Sequence, residues 1–312
     1  MKVYVLAPNE NWIVDRFVRE WYEHNGAVST RNPYKADVIW LMADWCWKRI
    51  PRSLLDQRWV IASIHHLVPE KLDSNALSEL SFRSHYVDRY HVPCEKTAEQ
   101  VRALGHSKPM LVKPFWVNGK MWRSTSRGFR TKLGISDDVF LIGSFQRDTE
   151  GHDLISPKLE KGPDRFCDAV EILAKTRPVQ VLLGGWRRQY VMGRLNRANI
   201  PYHYLELPDF ETLNQMYNAL DLYVVGSRYE GGPQSIFECA AARVPIISTD
   251  VGVASEILHP NAIIDQFMND VPKIVERLSE VEIDYAHEKV SELLIPDGFS
   301  PFLEFLEDLC ES

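Results

Sequence analysis

The chain has 312 residues, 45% of them apolar and 25% charged, with a formal net charge of −7. That length suits two domains of ordinary size, and the balance is that of a soluble globular protein. Net acidity argues against a protein that coats nucleic acid, which needs a basic face, and runs such as VIWLMA at 38–43 are too short to span a bilayer.

Cys46, Cys94, Cys167, Cys239 and Cys310 are odd in number and widely scattered. Such spacing suits reduced thiols in the cytoplasm better than disulfides or a zinc site. The N-terminus MKVYVLAPNENW turns polar at Asn9 after a short apolar run, so it reads as a first strand and not as a secretory signal. Any contact with a membrane is then peripheral.

In chain order, short apolar runs predict strands at 3–7, 38–43, 59–65, 89–92 and 110–113. An amphipathic helix is expected over 12–24, where Ile13, Val14, Phe17, Val18 and Trp21 make one apolar stripe. The polar, basic segment 118–134 reads as a linker. A second series follows, with strands at 139–144, 179–184, 202–206, 222–226 and 245–249 and helices over 164–175, 189–198, 210–220 and 234–243. The expected fold is therefore α/β, two Rossmann-like domains with parallel sheets facing a central cleft. The expected division is an N-terminal domain over 1–118, a linker over 119–136 and a C-terminal domain over 137–298. Ligands bind beyond the carboxyl ends of such strands. The loops SFQRD, GGWRR, GSRYEGGPQS and SIHH all follow strands directly.

The sharpest motif is RYEGGPQSIFE at 228–238, a glycine-containing turn between a strand and a helix that starts near Pro233. Proline suits the first helical position, and the N–H groups within Gly232 to Ser235, Pro233 having none, would sit at the positive end of a helix dipole, a seat for phosphate. On helical spacing Ile236, Phe237, Ala240 and Ala241 form the buried face, while Gln234, Ser235 and Glu238 share the other. Glu238 is placed to accept from a ribose diol and Glu230 from sugar hydroxyls across the turn.

This stretch resembles the E-x7-E signature of retaining GT-B glycosyltransferases, in particular glycosyltransferase family four. PIISTDVGVASEIL at 245–258 resembles the strand, loop and helix that follow the signature there. The resemblance implies a metal-independent enzyme that needs no cofactor and takes a nucleoside-diphosphate sugar as co-substrate. It implies contacts from Glu230 to the donor sugar, from Gly231, Gly232, Pro233, Gln234 and Ser235 to the diphosphate and sugar, and from Glu238 to the ribose. An Arg and a Lys that offset charge on the departing diphosphate correspond to Arg147 and Lys161, with Lys158 as the rival of Lys161 because the stretch 148–160 is longer than usual. The C-terminal helix, within 299–312, should pack back on the first domain.

In the first domain, Ser63-Ile64-His65-His66 resembles the family's T/S-x-H pattern, with His65 the better match and His66 the rival. The usual Gly-Gly loop after the first strand is replaced by APNENW at 7–12, which points to a different acceptor class. The tryptophans and cations of 45–52 suit packing with a charged rim better than a membrane foot or a sugar-stacking patch. The reading is a hexosyl transfer to a saccharide or lipid-linked acceptor in polysaccharide biosynthesis. The alternatives are a nucleotide-sugar epimerase, with acid and base at His65 and His66, and a degenerate nucleotide-sugar-binding scaffold.

Overall fold

Runs of branched and aromatic residues, too short for helices, pair as parallel strands: β1 Val3–Leu6, β2 Val38–Leu41, β3 Trp59–Ser63, β4 Arg89–Val92 and β5 Met110–Val112. Later in the chain come β6 Phe140–Ser144, β7 Val179–Gly184, β8 Tyr202–Leu205, β9 Leu222–Val225, β10 Ile246–Thr249 and β11 Ile263–Ile264. The computed structural model describes residues 1–10 and 13–311, so Trp12, expected in the first helix, lies outside the described residues. Two units are present: Met1–Trp116 with Pro296–Ser312, and Val117–Ile295.

The first unit carries a parallel sheet in the order β1-β2-β3-β4-β5, with Val3 opposite Val38 and Val38 opposite Trp59. All four residues of β2 are buried, as expected of a strand covered on both faces. Helix Ile13–His24 lays Val14, Phe17, Val18 and Trp21 into this core. Helix Ser300–Glu311 belongs to the same unit. Its Phe302 stacks on Trp40 with 5.5 Å between centroids and on Phe115 at 5.9 Å. Arg89 donates from both terminal nitrogens to the carbonyls of Phe305 and Asp308, at 3.1 Å each, tying this helix to β4.

The second unit carries a parallel sheet in the order β11-β10-β9-β6-β7-β8. Successive strands run outward from β6 in one direction and from β9 in the other, so β6 and β9 meet at the topological switch point. Loops leaving those two strands diverge there, which makes the carboxyl ends of β6 and β9 the natural place for a ligand.

The segment 119–136, read from the sequence as a linker, is part of this second unit. Trp122 is 1% exposed and meets Tyr217 edge-on, and the Arg123 and Thr125 N–H groups donate to the side chains of Asn214 (3.2 Å) and Asn218 (2.7 Å). Arg130, within helix Gly128–Leu133, is buried and donates to the carbonyls of Ser136 and Val139 at 2.7 Å and to Asp221 at 2.9 Å. Its basic side chain is committed to carbonyl ends, not to water. Helices Ser74–Ser84, Glu95–Ala103, Phe267–Arg277 and Glu280–Ser291 complete the layers beyond those expected from the sequence. Among the described residues, no helix is long and apolar enough to cross a membrane.

Candidate functional site

Two connections of the second unit converge on the switch point. After β6 the chain runs through Phe145, Gln146 and Arg147 and returns to start helix Pro163–Leu173. After β9 it turns through 226–233 and enters helix Gln234–Ala242. Gly162 is what lets the two connections touch. It adopts φ +62, and a Cβ there would lie 1.8 Å from the Gly226 carbonyl oxygen. Only glycine combines that left-handed backbone with that approach. The N–H groups of Arg228 and Tyr229 both donate to the Glu160 carbonyl, at 2.8 and 3.2 Å, and Arg228 grips Asp164 through two hydrogen bonds of 2.8 and 2.6 Å.

Lys161 and Glu230 are brought together by this clasp: the Lys161 ammonium pairs with Glu230 Oε1, although 69 residues separate them. Lys158 turns instead to Glu160, 3.2 Å away. Ser227 adds its hydroxyl to Glu230 at 3.4 Å. On the far side, the Gly231 carbonyl accepts from the Val253 N–H at 2.9 Å, and Gly252 (φ +50) leaves the room a Cβ would fill at 1.9 Å from that same oxygen.

Both helices that start here lack a side-chain cap. Gly162 precedes the helix at Pro163, and Pro233 precedes the one at Gln234. Elsewhere Asp73, Asp209 and Ser279 accept from first-turn N–H groups of their helices. At the helix from Pro163, the Asp164 carboxylate takes the Arg165 N–H, whereas the N-terminus at Gln234 presents N–H donors and a positive dipole end to an anion. Pro233 stands one position earlier than expected, at the cap and not in the first turn. Gln234 bonds the Gly232 carbonyl at 3.2 Å, and Ser235 hydrogen-bonds the Tyr223 phenol.

Two expected residues sit differently. Glu238, assigned by helical spacing to an open face, is buried, because helix Phe210–Ala219 covers that side and Tyr217 donates to Glu238 Oε2 at 2.7 Å. Arg147 donates from Nε to the Thr149 carbonyl at 2.8 Å and sets its guanidinium 5.4 Å from the centre of the Trp186 ring. It makes no ion pair among the described residues. Its neighbour Gln146 reaches the Lys161 carbonyl at 2.8 Å, so the loop that carries Arg147 is tied to the lysine.

Sequence reasoning passed over Arg188. Fully buried, it donates to Asp148 (3.0 Å), to the Gly184 carbonyl (2.7 Å) and to the Ser144 hydroxyl (3.0 Å), locking the ends of β6 and β7 together. Burial pushes the Asp148 carboxyl up, while Arg188 opposes that rise. Tyr217 and Tyr223 were also passed over. A buried phenol in a helix or strand looks like ordinary core until its hydroxyl partner is known.

In the first unit, His65 follows β3 and holds Nε2 at 2.7 Å from the Met42 carbonyl, a partner that accepts only, so Nε2 carries the proton. Its ring stacks on Phe115 (5.4 Å) and leans against Trp45 (5.8 Å). Burial lowers its pKa, and the Met42 bond and Asp44 only partly offset this. In the neighbouring segment, Trp47 is buried against Tyr86 and donates to Glu79 at 2.8 Å, whereas Trp45 is 41% exposed.

Residues 154–282 match the family described as Glycosyl transferases group 1. The chain is similar to TuaC of Bacillus subtilis (strain 168), named for teichuronic acid biosynthesis as a glycosyltransferase, with 30% identity over 134 residues. That match covers 42% of this chain and 31% of the relative. It is also similar to LpsB of Rhizobium meliloti (strain 1021), a lipopolysaccharide core biosynthesis mannosyltransferase, with 29% identity over 134 residues covering 40% of this chain and 36% of that one. The match thus spans about a third of the length of these curated relatives. Among solved structures, Anabaena HepE in complex with UDP-glucose aligns over 100% of this chain and 99% of its own at TM-score 0.75 and 13% identity. Sucrose-phosphate synthase from Thermosynechococcus elongatus aligns over 97% and 80% at TM-score 0.73 and 17% identity. The fold is of the GT-B kind, two Rossmann-like α/β units with parallel sheets.

Proposed function

We propose that this chain, built around a glycosyl transferases group 1 domain at residues 154–282, is a metal-independent retaining glycosyltransferase. It would move a hexosyl group from a nucleoside-diphosphate sugar to a saccharide or lipid-linked acceptor. The observation that carries the reading is the Lys161–Glu230 pair at the switch point, beside the uncapped N-terminus of helix Gln234–Ala242. Similarity to glycosyltransferases, and a fold shared with a protein solved with UDP-glucose, support it.

In this reading the diphosphate lies against Lys161 and the N–H groups of Gly231, Gly232, Gln234 and Ser235, with Arg147 as the second cation. As the bond from the sugar's anomeric carbon to the diphosphate oxygen breaks, these groups balance the charge that builds on the leaving oxygens. The acceptor hydroxyl forms the new bond on the same face, and its proton passes to the leaving diphosphate. Glu230 accepts from sugar hydroxyls while keeping Lys161 in place, and Glu238 accepts from the ribose. His65, holding its neutral tautomer, orients the transferred sugar. Peripheral association with the cytoplasmic face of a membrane would suit a lipid-linked acceptor.

The experiment is transfer from a matched nucleoside-diphosphate sugar by the wild type and by Glu230→Ala. Loss of transfer with an unchanged circular dichroism spectrum is expected. A variant that transfers at the wild-type rate removes Glu230 from the mechanism.

A further inference from the structure

Helix Phe210–Ala219 presents Tyr217 to helix Gln234–Ala242 from within the core. The Tyr217 ring is 1% exposed, met edge-on by Trp122 (5.9 Å between centroids) and Phe145 (4.8 Å) and tilted against Tyr223 (5.4 Å). A ring packed on these sides has little room to change rotamer, so its hydroxyl has a fixed position. That hydroxyl donates to Glu238 Oε2 at 2.7 Å. Burial, and then the Glu238 carboxylate beside it, raise the phenol pKa well above its ordinary value, so the proton stays on Tyr217. Tyr223 adds a second tie, accepting from the Phe145 N–H at 2.9 Å and hydrogen-bonding Ser235. The two phenols thus brace the loop after β6 and the helix that carries Ser235 and Glu238.

We propose that Tyr217 is a positioning residue that aims the Glu238 carboxylate at the ribose diol of a nucleoside diphosphate. This rests on the donor-site reading above and adds to it the residue on which ribose selectivity depends. A carboxylate on a nine-residue helix can swing about its own side-chain bonds. One oxygen held by a phenol leaves the group a single orientation, and a diol that needs two acceptor positions benefits from that order. Without the phenol, the carboxylate must find another arrangement in the buried site, and the diol loses its prepared partner while the diphosphate contacts remain.

The test is calorimetric titration of the full chain with uridine, guanosine and adenosine diphosphates and with their 2′,3′-dideoxy counterparts. The wild type is expected to prefer the ribose form by about tenfold for the diphosphate it accepts. Tyr217→Phe should lose most of that preference while its affinity for the dideoxy form stays as in the wild type. Glu238→Ala and the double variant should lose the preference to the same extent, since the two residues act as one unit. A folded Tyr217→Phe that keeps the full preference overturns the inference alone. So does a variant that weakens both forms equally, which is the mark of a merely structural tyrosine. If Tyr217→Phe does not fold, Glu238→Ala decides, and an undiminished ribose preference there overturns the inference. A wild type that binds none of the diphosphates overturns the donor-site reading as well.

Discussion

Lys161 and Glu230 form an ion pair across the two connections that leave the switch point of the second sheet. Their side chains are 19% and 9% exposed, so each charge depends on the other for its solvation. Lys161→Ala should therefore cost some stability by stranding Glu230. Its larger effect should be on turnover, a fall of about 100-fold or more in kcat, because a cation facing the leaving group acts mainly in the transition state. Steady-state kinetics beside a melting curve separates the two effects. A melting change with intact kcat would make the pair purely structural.

Gly162 supplies the geometry for that pair. An alanine there would meet the Gly226 oxygen at 1.8 Å from a backbone at φ +62. Gly162→Ala should destabilise the protein by roughly 2 kcal/mol or more, and the shifted loop should weaken nucleoside-diphosphate binding as well. Gly26→Ala serves as a control, since a Cβ there meets nothing within 4 Å. Equal melting temperatures for the two variants would contradict the account.

Acid should destabilise the fold through His91. Burial pushes its pKa down to about 3, and its ring bridges the Ser63 hydroxyl (2.9 Å) and the Lys113 carbonyl (2.8 Å) as a neutral group. Its folded pKa lies below the unfolded value of about 6.5, so the unfolded state binds the extra proton first. Stability is then full above pH ~6.5 and falls as pH drops toward 3, by at most about 1.4 kcal/mol per unit for this one group. His65, also lowered, adds in the same direction. Melting temperature against pH should show the decline, and His91→Gln should flatten it. An unchanged slope in the variant would assign the acid sensitivity to other groups.

His65 stands in the first unit, with Nε2 held by the Met42 carbonyl. His65→Ala should lower kcat by about 10-fold to 100-fold and leave the dissociation constant for the bare nucleoside diphosphate unchanged. His66→Ala should do less. A larger loss from His66→Ala would exchange the two roles.

The fold was legible because most strands announce themselves as short branched runs: β4 and β7 were placed to the residue and the others to within two at each end, apart from the brief β11. Two helices of the second half were not read, although Ser279 and Glu282 form a full capping box at the start of one and Asp270 places an acidic residue in the first turn of the other. In helix Phe267–Arg277, Phe267, Val271, Ile274 and Val275 do fall at helical spacing but Pro272 interrupts the run, and in helix Glu280–Ser291 the apolar residues are spread among charges. The segment 119–136 was misread because a row of cations looks solvated. Only the structure shows Arg130 buried among carbonyls. At the site, the sequence pointed to Lys161 and Glu230 but left Lys158 open, since one-dimensional spacing across 148–160 cannot say which ammonium reaches the carboxylate. Glu238 was expected on an open face because helical periodicity carries no information about a second helix packed on top.

The central claim is a metal-independent diphosphate grip in the second unit. The most direct test is a thermal-shift panel of UDP, GDP, ADP and TDP and their sugar conjugates, with magnesium and with a chelator, on the wild type and Lys161→Ala. One diphosphate should raise the melting temperature equally in both conditions, and the shift should disappear in the variant. A shift that needs magnesium, one that survives in Lys161→Ala, or no shift with any compound would contradict the claim.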